Sequence, residues 1–341
     1  MHYLVGISGG LDSTLAAASL LEAGHTVSGA VLRFSDHTDL DAARVAAKEL
    51  GIPLHEIDCR DAFERIVKDY FAQSYAAGKT PNPCVVCNRY LKIEMLCELA
   101  KSLGCDKVVT GHYANILRLA NGRLAVKRSE NRKKDQSYML WSLTQEQLGL
   151  LDFPLSDSDK EKLRQKAESM DFSAAKAKES MDICFLPDGN YAEFVQSRVG
   201  KCPAGDFVDK DGRVLGKHKG IIHYTVGQRK GLGIALGKPA FVSAIDPQKN
   251  TVTLVFAGEE YQNEMTVENL QFQAISETKS DVFDNLFVKI RYAAQPVPCR
   301  VTVEGEQAKV VFDAPARAVT PGQSAVFYTE EGVVAFGGFI A

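Results

Sequence analysis

Short apolar runs alternate with amphipathic stretches over the first half of the chain. Tyr3-Leu4-Val5 and residues 27–32, 54–57 and 108–109 are too short for helices, and each is bounded by glycine or polar residues, so they read as buried strands. Between them, Leu15-Ala16-Ala17-Ala18 continues at helical spacing. Residues 40–50 carry an apolar stripe that stops at Gly51, and stretches 62–77 and 90–103 repeat the pattern, the second stopping at Gly104. Strand–helix alternation of this kind predicts a parallel, doubly wound α/β sheet with ligands at the carboxyl ends of its strands. From about Gly200 the period changes to two. Residues 251–255 and 299–303 alternate, and turns such as Asp211-Gly212 separate them, so two small β-rich domains are expected, barrels among them. The division is residues 1–200 for the α/β domain, 201–265 for a central β-rich domain and 266–341 for a barrel-like C-terminal domain. Residues 156–179 are charged and helical, a connection that packs on the core.

Composition narrows the class without deciding it. The 341 residues are 45% hydrophobic and 24% charged, ordinary for a globular chain of two or three domains. No apolar run approaches a membrane span, and no basic stretch leads into an apolar leader, which makes the cytoplasm the expected compartment. There the eight cysteines are expected to stay reduced, and any special set among them to be catalytic or metal-binding. A net charge of -3 argues against indiscriminate nucleic-acid binding but leaves room for a local basic face.

Candidate chemistry begins directly behind the first strand, at Gly6-Ile7-Ser8-Gly9-Gly10-Leu11-Asp12-Ser13. Paired glycines let a ligand approach the backbone, and the following helix start adds the positive end of its dipole, so the loop suits a phosphate or pyrophosphate. Asp12 in an anion site makes sense if Mg²⁺ bridges it to the phosphates. No lysine follows the glycines, which separates this loop from the Gly-Lys-Ser/Thr type. An ordinary capped glycine turn is the bland alternative. The second feature is Thr80-Pro81-Asn82-Pro83-Cys84-Val85-Val86-Cys87-Asn88. Its prolines fix an extended approach, and its cysteines stand three apart, close enough to serve one centre. Zinc sites, iron–sulfur sites, redox pairs and buried structural cysteines all share that spacing. Cys184 is a third cysteine of the same domain. Cys59, Cys97 and Cys105 read as core residues, and Cys202 and Cys299 have no partner spacing.

At these motifs the chain resembles the bacterial tRNA-specific 2-thiouridylase (MnmA/TrmU) family, nearly end to end. SGGLDS at 8–13 looks like the pyrophosphate loop (PP-loop) of ATP pyrophosphatases. It is followed by TPNPC and CN within 80–88, TGHYA at 110–114, KDQSYML at 134–140 and DICF at 182–185. YTVGQRKGLGI at 224–234, RYAAQPVPC at 291–299 and PGQSAVFY at 321–328 complete the series. The resemblance implies an adenine nucleotide alpha-hydrolase-like first domain and β domains that grip tRNA. It also implies ATP with Mg²⁺, and a wobble uridine of the anticodon stem-loop as target. Gly6 through Ser13 (Gly6, Ile7, Ser8, Gly9, Gly10, Leu11, Asp12, Ser13), with Leu32 and Gly111, match nucleotide positions. Cys184 matches the persulfide-carrying cysteine and Cys87 its resolving partner. Asn82, Pro83 and Cys84 match positions beside the target base, which must be flipped out to be reached. His112, Lys134, Asp135, Gln136, Arg291, Tyr292 and Gln323 match tRNA-contacting positions, although His112, at a strand end, could simply hydrogen-bond locally. The sulfur donor would be a persulfide carrier protein, a cysteine desulfurase or sulfide, with no membrane involved. The chemistry follows: the C2 oxygen of uracil leaves poorly, so ATP adenylates it, and a sulfur nucleophile then displaces AMP.

Two departures stand out. The common family pattern has aspartate where this chain has Cys84, and a thiol does not inherit a carboxylate's role. Cys84, Cys87 and Cys184 could instead hold three irons of a [4Fe–4S] cluster and leave the fourth open to sulfide; a catalytic zinc site is the competing reading. The segment after Leu32 is also shorter than the family usually carries, and Arg33 and His37 could touch the nucleotide, though they read first as a solvated loop. Lysine and arginine around 127–134, 217–219, 229–230 and 291 would neutralise phosphates, and Tyr138, Tyr224 or Tyr292 would stack on unpaired bases. Two other classes compete: a different ATP pyrophosphatase, an amidotransferase or ligase with no use for the cysteines, and a noncatalytic, metal-stabilised RNA-binding protein.

Overall fold

The computed structural model of the chain describes residues 1–156, 165, 168, 172–176, 183–186 and 189–341. Most of the expected 156–179 connection, and Asp182, lie outside the described residues. The first domain is built on β1 (His2–Gly6), β2 (Thr26–Arg33), β3 (Leu54–Asp58) and β4 (Lys107–Val109). A hairpin of β5 (Ala114–Arg118) and β6 (Leu124–Arg128) follows, and β7 (Leu151–Asp152) closes the sheet edge. The sheet order is β3-β2-β1-β4-β7 with every pairing parallel, as the strand–helix alternation predicts. Successive residues of β1 point to opposite faces and enter different cores. Leu4 packs with Val108, Ile93 and Leu96 on one side, while Val5 packs with Leu15, Ala16 and Ala43 on the other. Strand order turns back between β1 and β4, so the loops that leave them diverge and open a crevice.

The helices obey local rules that the sequence displays. α1 (Leu11–Glu22) follows the glycine loop. α2 (Leu40–Leu50) is capped by Asp39, whose side chain accepts from Ala42 N at 2.9 Å, and ends at Gly51 in the left-handed region. α3 (Arg60–Phe63) and α4 (Asp69–Ala76) are joined by a π turn over Glu64–Lys68. α5 (Pro83–Cys87) runs through a second π turn, Asn88–Lys92, into α6 (Ile93–Ser102). Helix therefore begins at Pro83 and not near residue 90, because proline is suited to the first helical position. Cys84 and Cys87 lie on one helical turn.

The β-rich half has two parts. β8 (Gly205–Val208), β9 (Val214–His218), β10 (Ala240–Asp246) and β11 (Thr251–Phe256) form a sheet in the order β10-β11-β8-β9. β12 (Tyr261–Phe272), β13 (Ser280–Lys289), β14 (Val297–Glu304), β15 (Gln307–Arg317), β16 (Ser324–Tyr328) and β17 (Val334–Ile340) close a barrel in the order β12-β15-β14-β13-β16-β17. Along β14, Cys299, Val301 and Val303 fill the barrel while their neighbours face outward, the period-two pattern realised. The barrel is bolted to the first domain by Gln273, which is fully buried. Its side chain accepts from Val126 N and donates to the Leu140 and Trp141 carbonyls, each at 2.9 Å. Among the described residues no helix is long and apolar enough to cross a membrane.

Candidate functional site

The loop behind β1 is held open by its own short side chains. Ser13 Oγ donates to Gly10 O at 3.0 Å and accepts from Ser8 N at 3.2 Å, and Thr14 Oγ1 also donates to Gly10 O at 3.0 Å. Gly10 begins α1 with no side-chain cap, so the first amides of the helix face the loop. Gly9 has φ +77°, and a Cβ there would lie 2.5 Å from Ala42 Cβ and 2.6 Å from Ala42 C. The loop thus passes so close to α2 that only glycine fits. Tyr113 leaves the loop after β4 and donates its hydroxyl to Asp12 Oδ1 at 2.7 Å. Gly111 approaches equally closely: its Cβ would stand 3.1 Å from Asp12 Cβ. Both crevice loops are therefore one assembly. Gln136 locks the second loop: its N donates to Tyr113 O at 2.9 Å, and its side-chain Oε1 accepts from Tyr113 N at 3.0 Å. Leu32 is buried in the core beneath, and Arg33 and Arg60 both bind Asp36 in the shortened loop, beside a cleft of about 380 Å³.

Cys84, Cys87 and Cys184 lie near one another. Cys87 is buried, whereas Cys84 and Cys184 expose surface, and no cysteine pair among them is bonded. Burial pushes the Cys87 thiol up to about 11, with the Lys92 ammonium opposing and Cys184 and Cys84 adding to the rise. Partial loss of solvent also raises the thiols of Cys84 and Cys184, and Lys92 again opposes in both cases. The same ammonium helps hold His112 neutral, although burial is the larger cause of its fall to about 3. His112 Nδ1 meets Thr110 Oγ1 at 2.7 Å. Lys92, at the end of the π turn after α5, is therefore the cation common to three thiols and the histidine. Sequence reading passed over it, though its place five residues beyond Cys87 was visible. Among the described residues no three His, Cys, Asp or Glu side chains converge closely enough to hold a metal ion. As placed, the cysteines are neighbours and not yet a ligand set.

The residues matched to RNA contact divide sharply. Tyr292 is 43% exposed, and Lys289, itself buried, lies 5.3 Å from its ring and 5.6 Å from that of Tyr138. Lys289 had no signal in the sequence beyond its position at a strand end. Tyr138 and Tyr224 are corrected from base-stacking candidates to core residues: at 0% and 3% exposure neither can offer a ring face. Asp135 turns inward, accepting from Ser129 N, Ser137 N and Arg128 Nε. Arg291 donates to Val226 O at 2.8 Å and Ala318 O at 3.1 Å, joining the central sheet to the barrel. Gln323 donates to backbone carbonyls of the cysteine loop. Asn82 is buried against the Tyr138 hydroxyl and Pro83 opens α5. Lys134 closes a turn through its amide to Asn131 O. Cys59, Cys97 and Cys105 are buried, as expected of core residues, and Cys299 is buried inside the barrel.

Three family models match consecutive stretches. One described as a tRNA methyl transferase HUP domain covers residues 1–188, a tRNA methyl transferase PRC-barrel domain covers 192–255, and an aminomethyltransferase beta-barrel domain covers 262–340. A tRNA-specific 2-thiouridylase MnmA of Acetivibrio thermocellus is 43% identical over 99% of this chain and 98% of its own length. Its counterpart in Lachnoclostridium phytofermentans is 41% identical over 99% of both. Among solved structures, a 4-thiouridine synthetase–RNA complex with bound ATP aligns at 16% identity and TM-score 0.37, over 58% of this chain and 50% of that one.

Proposed function

The chain belongs to the tRNA-specific 2-thiouridylase family, and from that premise we propose that it activates a tRNA wobble uridine with ATP and replaces the C2 oxygen with sulfur carried on its cysteines. One observation carries the reading: the uncapped glycine loop is bonded through Asp12–Tyr113 to the loop that also carries His112, and Lys92 acts both on that histidine and on the three thiols. The amides at the start of α1, with Ser8 and Ser13, would hold the pyrophosphate portion of ATP. Asp12 would share Mg²⁺ with it, and that ion would offset phosphate charge. The C2 oxygen attacks the α-phosphorus, pyrophosphate departs, and the uridine carries AMP as a good leaving group.

Sulfur arrives as a persulfide on Cys184, an exposed thiol, as Cys84 also is, that a donor protein can reach. Its terminal sulfur attacks C2, and AMP leaves with the C2 oxygen. The Cys87 thiolate then attacks Cys184 Sγ, which breaks the S–S bond and leaves the terminal sulfur on the base as 2-thiouridine. A Cys87–Cys184 disulfide remains, and a dithiol reductant must return it to two thiols before the next turnover. Because burial raises the Cys87 thiol, this attack needs deprotonation within the site, and Lys92 is placed to favour the anion. Cys84 favours a second reading, three-thiolate iron–sulfur ligation, which requires Cys184 to close on Cys84 and Cys87.

The test is nucleoside mass spectrometry of tRNA incubated with ATP, Mg²⁺ and a sulfur donor, using protein assayed for iron. Wild type should form 2-thiouridine with stoichiometric pyrophosphate, and Cys184→Ser should release pyrophosphate without thiolation. Thiolation that survives in Cys87→Ser/Cys184→Ser would overturn the cysteine route. Thiolation strictly proportional to bound iron and lost in Cys84→Ser would replace the persulfide with the cluster.

A further inference from the structure

The loop that delivers the cysteines is poorly able to hold itself. Pro81 and Pro83 have no backbone N–H, and the loop's carbonyls at Thr80 and Pro81 need donors from elsewhere. α5 is only five residues long and has no side-chain cap at Asn82, so its position depends on outside ties. Those ties come from the C-terminal barrel, about 240 residues further along the chain. Gln323 Nε2 donates to Thr80 O at 3.0 Å and to Pro81 O at 3.3 Å, while Thr80 N donates to Pro321 O at 2.8 Å.

The barrel turn that makes these bonds is itself rigid. Gly322 N donates to Ile340 O and Ile340 N donates to Gln323 O, each at 2.8 Å, so the turn is laced to the last strand. Gly322 has φ +85°, and a Cβ there would sit 2.9 Å from Lys79 Cβ and 3.0 Å from Thr80 O. The approach is closer than any side chain permits. Lys79 adds an ion pair to Glu268 of β12 at 3.1 Å, and Tyr138, which touches Asn82, donates to Ser324 O at 2.9 Å.

We infer that Gln323 is a positioning residue for the cysteine loop: with the turn at 321–323 it fixes Thr80 and Pro81, and so sets where α5 presents Cys84 and Cys87. The inference deepens the proposed sulfur transfer and rests on those thiols performing it. A side chain whose amide hydrogens are both engaged by protein carbonyls has little left to donate to RNA, so its effect on reaction runs through the loop.

Three readouts on the full-length protein test this with Gln323→Ala. Thiolation at saturating tRNA should fall roughly 10- to 100-fold, the scale of an ångström-sized misplacement. Directly measured tRNA affinity should stay within about twofold, a difference small beside a tenfold step of 1.4 kcal/mol. Alkylation of Cys84 at fixed pH, followed by peptide mass spectrometry, should quicken several-fold. Gly322→Ala, which pushes the turn off Thr80 while leaving Gln323 intact, should move the labelling in the same direction. Weakened tRNA affinity with full thiolation at saturation would overturn the inference and make Gln323 an RNA contact. Unchanged Cys84 labelling in both variants would overturn it whatever thiolation does. Labelling also separates the two proposals, because it reports on the loop even if the thiols do no sulfur chemistry.

Discussion

Two adjacent glycines in the loop behind β1 should respond very differently to the same methyl group. At Gly9 the backbone has φ +77°, a region in which an L side chain costs about 1–2 kcal/mol. The added carbon would also lie 2.5–2.9 Å from Ala42 Cβ, Ala42 C and Ala43 N. Two of those atoms are backbone, so relief requires α2 to retreat by roughly 1 Å, away from a seam in which Ala43, Ala46 and Ala47 are at most 3% exposed. Overpacking of this kind costs about 1–3 kcal/mol, which brings Gly9→Ala to about 2–5 kcal/mol. Gly10 is different. Its φ of -82° and ψ of 161° suit any residue, and its Cβ would meet only Ser8 Oγ, a side-chain atom that can turn aside, at 3.3 Å. Gly10→Ala should therefore be within about 0.5 kcal/mol of wild type, with some gain from a stiffer unfolded chain. Thermal scans with and without ATP and Mg²⁺ measure both effects. Gly9→Ala should melt several degrees lower without ligand, and Gly10→Ala should keep its midpoint but lose ligand-induced stabilisation. Equal ligand-free midpoints for the two variants would refute the claim that α2 sets the shape of this loop.

Other substitutions probe the site's supports. Tyr113→Phe removes a hydroxyl bonded to Asp12 at 2.7 Å, worth about 1.5–3 kcal/mol for a charged acceptor, and should lower kcat/KM for ATP roughly 10- to 100-fold; an unchanged value would show that Asp12 needs no such support. His112 has its folded pKa depressed to about 3 against an ordinary 6.5, so the unfolded chain binds the extra proton and stability must fall as pH drops below about 6.5. Discounted for its partial exposure, the loss from pH 7 to pH 5 is about 1–2 kcal/mol, and urea midpoints of His112→Gln should show a correspondingly flatter pH dependence. Gln273→Leu strands Val126 N and the Leu140 and Trp141 carbonyls in a dry core, at about 1–3 kcal/mol each. It should accelerate proteolysis between the barrel and the first domain, and wild-type resistance would contradict the bolt assigned to this side chain.

What the sequence disclosed, and what it hid, follows from the range of the interactions involved. The glycine loop was legible because its requirements are local: a strand, a tight turn and a helix start occupy one continuous stretch, and Asp39 and Gly51 punctuate the next helix in the same way. The barrel was legible as alternation along single strands such as β14. The start of α5 was misjudged because Pro83 can end an extended segment or begin a helix, and only the residues that follow decide between them. Side-chain roles were harder still. Tyr138 and Tyr292 are equally aromatic in the sequence, yet one is sealed beneath the barrel and the other faces solvent, a difference set by strands nearly two hundred positions away. Lys92 shows the same limit at short range, since an ordinary lysine acquires meaning only once the fold brings it together with the adjoining Cys84 and Cys87 and the distant Cys184. Motif resemblance points to where the proposed chemistry lies; which groups supply it and which merely hold it in place depends on long-range pairings that no local pattern encodes. Gln323 belongs with the latter, because its hydrogen bonds tie the far end of the chain to the loop on which the proposed sulfur transfer depends.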